Sequence, residues 1–152
     1  MSEVAAAKPL FERAIAQYDL VLKAQANSIE AINNKAWILH QYLNRNAEAL
    51  ALAEGVVKRA DPTMLPAEFL DTLGAIFEAA HRQGDAEDAY DKGLKKAPEH
   101  PVLNFHMGRL LAQDGARKEQ ATRYIEKALA GRARLGRAMA LDAEALLKRL
   151  RG

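Results

Sequence analysis

Apolar residues recur along this chain at spacings of three and four, with short polar breaks between the runs. After Pro9, where a missing N–H costs nothing in a first helical turn, Leu10, Ile15, Tyr18, Val21 and Leu22 mark a helix to about Ala26. Asn27 or Ser28 can cap a second helix, striped by Ile29, Ile32, Ala36 and Leu39. Asn44-Arg45-Asn46 reads as a turn. Ala49, Leu50, Ala53, Val56 and Val57 then form a third stripe that ends before Asp61-Pro62. Further helices are predicted over about 67–82, from Gly84-Asp85 to Lys96, over 101–113 and over 118–131, with a last one over 140–150. Loops this short fold successive helices into antiparallel hairpins.

Composition agrees with an all-α fold. The 152 residues are 49% hydrophobic and 28% charged, which excludes a disordered chain. Alanine and leucine dominate over β-branched residues, and aromatics make up only 6%. With no cysteine, disulfides, thiolate–metal sites and cysteine nucleophiles are excluded.

One segment repeats a pattern with a fixed period. It reads Leu73-Gly74, two residues, Phe77, eight residues, Ala86, three residues, Tyr90, two residues, Gly93, four residues, Pro98. Gly74 and Ala86 are small where two helices of a hairpin would cross. Phe77 and Tyr90 would fill the space between hairpins, and Pro98 would stop the second helix. This run resembles the tetratricopeptide repeat (TPR) signature at every spacing.

The same frame extends in both directions. Met107-Gly108, Leu111, Ala121, Ile125 and Ala128 continue it over 101–131, and Ile32, Ala36, Leu39, Ala49, Ala53, Val56 and Pro62 precede it over 29–62. In that earlier unit Lys35 stands where the family has leucine. A partial repeat over 9–26, full repeats over 29–62, 67–100 and 101–131, and a capping helix over 140–150 together make one domain over 1–152. The resemblance implies an all-α, right-handed α-solenoid of stacked antiparallel hairpins. The C-terminal half, through Phe69-Leu70-Asp71-Thr72-Leu73-Gly74 and Ala143-Glu144-Ala145-Leu146-Leu147-Lys148-Arg149-Leu150, also resembles the last repeats of large bacterial TPR proteins of cell-envelope and exopolysaccharide systems.

Little in the chain points to catalysis. His40, His81, His100 and His106 form no His-x-x-x-His pair, so no metal is expected. No glycine-rich phosphate loop is present, and no cofactor is expected. Asp85, Glu87 and Asp88 read as capping and helix-dipole complements. The expectation is a protein that is not an enzyme. There is no signal-peptide pattern at the N-terminus and no run of apolar residues long enough to span a bilayer, so the cytoplasm is the expected location.

Charge changes sign along the chain. Residues 1–116 hold 12 basic and 16 acidic side chains, and residues 117–151 hold 10 and 4. A basic tail can attract nucleic acid. The arginines 132, 134 and 137 sit around glycines with no aromatic interleaving, so a solvated helix surface is the preferred reading and nucleic acid is set aside.

What remains is binding. In the family the first helix of each pair lines a concave groove. Carried over by position, the resemblance puts Asn33, Trp37, His40 and Gln41 there from one repeat. Asp71, Ala75, Glu78 and Arg82 come from the next, and Phe105, Arg109, Ala112 and Gln113 from the third. Trp37 and Phe105 are the expected aromatic anchors, although a one-residue slip would bury Trp37 between helices. The family's carboxylate clamp is absent at all five positions, where Asn33, Trp37, Thr72, Val102 and His106 stand. The expected function is a non-catalytic module that binds a peptide or protein segment. The alternative is a self-associating scaffold, a homo-oligomer.

Overall fold

The stripes fold as eight α-helices in a computed structural model that describes residues 3–152. They are α1 Glu3–Ala24, α2 Ile29–Gln41, α3 Asn46–Val57, α4 Ala67–Ala79, α5 Gln83–Lys96, α6 Pro101–Leu111, α7 Lys118–Ala130 and α8 Arg137–Arg151. Short 3-10 turns fall at Pro62–Met64, Gly115–Arg117 and Arg132–Arg134. No strand occurs among the described residues. The fold is an all-α stack of helix hairpins of the TPR-like α-solenoid type.

Packing groups the chain into two compact units. Unit 1 joins the chain up to Leu65 with Ile76–Arg82, and unit 2 joins Pro66–Ala75 with Gln83–Gly152.

In unit 1 the core is built from Ile15 of α1, Ala31, Ile32, Ala36 and Leu39 of α2, and Ala49, Ala53 and Val56 of α3, all buried. Alanines at 36, 49 and 53 let helix backbones approach closely. The Ser28 hydroxyl starts α2 by accepting a hydrogen bond from the Ala31 N–H at 3.3 Å. The rings of Phe11 and Tyr42 stack with centroids 4.3 Å apart, tying α1 to the end of α2. Lys35, out of place against the repeat pattern, pairs with Asp19 of α1 at 2.5 Å.

In unit 2 two close helix crossings set the packing. A Cβ added to Gly74 would lie 2.2 Å from Cε1 of the fully buried Tyr90 ring. Ala86, on the same helix as Tyr90, is itself completely buried. At the α6–α7 crossing a Cβ on Gly108 would meet Ile125 Cδ1 at 2.6 Å. The small signature positions therefore stand where the helices touch. Leu70, Leu103 and Ile125 fill the space around them, and full burial of such a side chain is worth about 1.5–3 kcal/mol.

Helix ends depart from expectation in three places. First, α1 begins at Glu3 and runs through Pro9, which was expected to open it. The missing N–H removes one ladder bond near an exposed end, and the alanines at 5–7 are strong enough helix formers to carry the helix across it. Second, α4 stops at Ala79 because His81 takes a left-handed conformation at φ 58°. That turn lets the Arg82 N–H bond back to the Phe77 carbonyl at 2.9 Å. Third, α8 starts at Arg137, ahead of the expected 140. Gly136, at φ 75°, makes the reversal before it, a conformation open to glycine at no steric cost.

Candidate functional site

In unit 2, α6 is buried along nearly its whole length. The His100 ring caps it by accepting from the Leu103 N–H, and Pro101 occupies the first turn. Arg109 is the residue of its inner turns that remains exposed. Phe105, one turn before it, was expected as an exposed anchor and is instead 4% exposed. The Arg109 guanidinium lies 5.6 Å from the Phe105 ring centroid, a cation–π arrangement.

These two residues form one wall of a cleft of about 270 Å³ whose other wall is α8, through Asp142, Ala145, Leu146 and Arg149. Asp142, Ala145 and Arg149 stand at i, i+3 and i+7, so they share a helix face. The buried stripe Ala140, Ala143, Leu146 and Leu150 fixes the rotation of α8. Ion pairs from Arg132 to Glu144 and from Arg151 to Glu126 at 2.5 Å hold its middle and its C-terminal end. Phe105 is thus an apolar floor beside α8 and not a projecting anchor.

Asp71 was expected as an acidic determinant on the open face. It is buried, and the His106 Nδ1–H donates to its Oδ1 across 2.7 Å. The His106 ring also lies against Tyr90 and Phe105, with centroids 5.7 Å away in each case. The carboxylate is therefore committed inside the unit. Gln113 is exposed and accepts from the Gln83 side chain at 3.4 Å.

Unit 1 holds the other expected residues. Trp37 is half-buried, with its ring centroid 6.1 Å from that of His40. His40 Nδ1 is 2.8 Å from Asn46 Oδ1. Asn33 donates to Asn34, and its own side-chain oxygen is buried with no hydrogen-bond partner. Gln41 is exposed and Glu78 half-buried. Arg82, turned back by the left-handed His81, pairs with Glu54 and lies 4.8 Å above the Phe77 ring. It therefore serves packing within its unit. A second cleft, of about 260 Å³, is lined by Asn27, Ile29, Ile32, Val56, Arg59 and Ala60.

The sequence reading missed Asp142, Ala145, Leu146 and Arg149, because it treated the last helix only as a cap. The signal was present in Asp142, Ala145 and Arg149 recurring at i, i+3 and i+7 beside the apolar stripe of that helix.

Ion pairs hold the hairpins of unit 2 in register. Arg117 Nη1 and Nη2 donate to the two Glu87 carboxylate oxygens, at 2.8 and 2.5 Å. That hydrogen-bonded pairing pulls the Glu87 carboxyl below its ordinary value of 4.5. A depressed carboxyl stabilises the fold above its unfolded value and loses that contribution as pH falls through its folded value. Both side chains are about one-third exposed, so screening keeps the effect below about 1 kcal/mol. Glu87→Gln should lower stability at pH 7, and its gap from wild type should close in urea melts taken progressively below pH 4.5. A gap unchanged at acid pH would assign the effect to packing.

Among the described residues no group of three or more His, Asp and Glu side chains could hold a metal ion, and no helix is long and apolar enough to cross a membrane. No family model matches the chain, and no curated protein matches it. Solved structures do. Residues 41 to the end of MamA from Desulfovibrio magneticus RS-1 superpose with a TM-score of 0.65 at 23% identity, over 84% of this chain and 70% of that one. PcrH from Pseudomonas aeruginosa gives 0.67 at 18%, over 83% and 93%. YrrB, described as a TPR protein with an unusual peptide-binding site, gives 0.63 at 16%, over 97% and 82%. At these identities the likeness is one of fold, the TPR-like α-solenoid.

Proposed function

We propose that the protein is a non-catalytic interaction module that holds a peptide or protein segment, and that the α6–α8 cleft of unit 2 is a principal contact site. The observation that carries this reading is the cleft's make-up. Phe105, Ala145 and Leu146 give an apolar floor, and the guanidiniums of Arg109 and Arg149 outnumber the single Asp142 carboxylate on its walls. Such a site suits an apolar side chain with an acidic group beside it. The fold supports the reading, since YrrB, with the same fold, is described by its peptide-binding site.

The Asp71 carboxylate is taken up by His106, so a basic ligand group has no reason to seek it. Asn33, Trp37, His40 and Gln41 of unit 1, with Glu78 and Arg82, form a second proposed contact set, and Gln113 extends the first. On this reading the repeats fall at 29–62, 67–100 and 101–131, with a partial repeat before them and α8 as the closing helix. The working compartment is the bacterial cytoplasm, and no cofactor takes part.

The test uses charge reversal and not truncation of Phe105, whose burial would confuse binding with folding. Arg109→Glu with Arg149→Glu should leave the circular dichroism spectrum unchanged, because both side chains are exposed. Proteins captured from the host by the wild-type chain should be lost, and an identified partner should bind about tenfold or more weakly in titration. Equal capture by the doubly reversed variant would move recognition away from this cleft.

A further inference from the structure

Two charged residues of α8 stand apart from its ion pairs. Glu144 is taken up by Arg132, and Arg151 by Glu126. Asp142 and Arg149 are both exposed and form no ion pair among the described residues. Their own helix offers them no partner. The positions three and four away from Asp142 are Ala138, Met139, Ala145 and Leu146, and those before Arg149 are again Ala145 and Leu146. Both side chains nevertheless line one cleft, at opposite ends of its α8 wall, about 10.5 Å apart along the helix axis.

That cleft has an electrical direction. A Cβ added at Gly131, just past the end of α7, would run into Pro101, the first residue of α6. The turn from α7 to α8 therefore lies at the end where α6 begins, and α6 and α8 run parallel. On α6 Phe105 precedes Arg109, and on α8 Asp142 precedes Arg149. The carboxylate thus stands at one end of the cleft and the two guanidiniums toward the other, with Ala145 and Leu146 between them and Phe105 opposite.

We propose that the segment held in this cleft is a helix of a partner protein whose contact stripe is acidic at one end, apolar in the middle and basic at the other, at i, i+3, i+4 and i+7. Its acidic group lies against Arg149 and Arg109, its apolar side chains enter the cleft, and its basic group meets Asp142. Complementary charge at both ends selects such a segment over a purely acidic one. The spacing selects a helix. Seven helical residues rise about 10.5 Å and match the wall, whereas side chains on one face of an extended segment recur at about 7 and 13 Å. Amphipathic helices dock along helical grooves through anchors at these same positions. The inference rests on the reading of the cleft as a contact site, and adds to it the partner's conformation and charge order.

The probes are fluorescent, alanine-based helical peptides, titrated against the full chain by anisotropy. The reference peptide carries glutamate at i, leucine at i+3 and i+4, and lysine at i+7. Replacing its lysine with glutamine should weaken binding about threefold, and with glutamate about fivefold or more, even though the cleft holds more cations than anions. Moving the lysine to i+9, on the opposite face of the peptide helix, should cost as much as glutamine does at unchanged composition. Asp142→Asn should erase the preference for lysine over glutamine, and Asp142→Lys should turn it into a preference for glutamate. Both substitutions fall at an exposed position and should leave the helical dichroism unchanged. Arg109→Glu with Arg149→Glu should weaken the reference peptide about tenfold or more. Loss of binding in that double variant, with no discrimination at Asp142, would keep the cleft as the contact site and overturn the charge order. Binding that ignores the double reversal would overturn the cleft reading and this inference together. Failure of the reference peptide to bind, with dimerisation in sedimentation abolished by Arg149→Glu, would name a second copy of the chain and overturn it equally.

Discussion

Tyr90→Ala should destabilise the protein by about 3–5 kcal/mol, the range for removing a large, fully buried aromatic side chain. Its ring fills the space that the missing side chain of Gly74 leaves open. The partner substitution should change sign with context. In the wild-type background Gly74→Ala drives a methyl into a rigid ring at 2.2 Å, so it should destabilise by about 1–3 kcal/mol. In the Tyr90→Ala background the clash is gone. The same change should then stabilise by up to about 1 kcal/mol, because alanine is the better helix former. Thermal or urea unfolding of the four proteins completes the cycle. Additive effects would show that the two residues do not meet.

That pairing could be read in advance from the chain, since the repeat pattern puts a small residue opposite an aromatic one at a fixed offset. The same holds for Gly108 with Ile125, which the frame places in corresponding positions. Sequence failed where the outcome depended on something the period does not encode. Pro9 looked like a boundary because one residue was weighed against too few neighbours, and the alanines before it outweighed its cost. Phe105 occupied a face that opens outward in the repeat frame. The frame says nothing of which helix comes to lie beside that face, and here α8 does. Asp71 and His106 are 35 residues apart and each looked like a polar surface residue. Neither composition nor spacing reveals that the two would satisfy each other inside the unit.

That pair supplies the second large effect. A carboxylate only accepts hydrogen bonds, so the imidazole must donate, and both side chains are largely buried. Asp71→Leu leaves the buried His106 N–H without its acceptor, and should cost about 1–3 kcal/mol. Adding His106→Leu removes the stranded donor. The double variant should therefore lose less than the two single losses combined. Urea denaturation at neutral pH reads the difference. Losses that simply add would mean that the contact contributes no coupling and that each side chain matters only for its own packing.

The single tryptophan has a spectroscopic consequence. Trp37 lies in unit 1, and unit 2 holds tyrosines 90 and 124 but no indole. Emission excited at the red edge of absorption therefore follows one unit alone, whereas far-ultraviolet dichroism weighs helices from both. The native chain is its own site-specific reporter, and its indole, half-buried beside an imidazole, sits where a change in local solvation would alter the colour of its light.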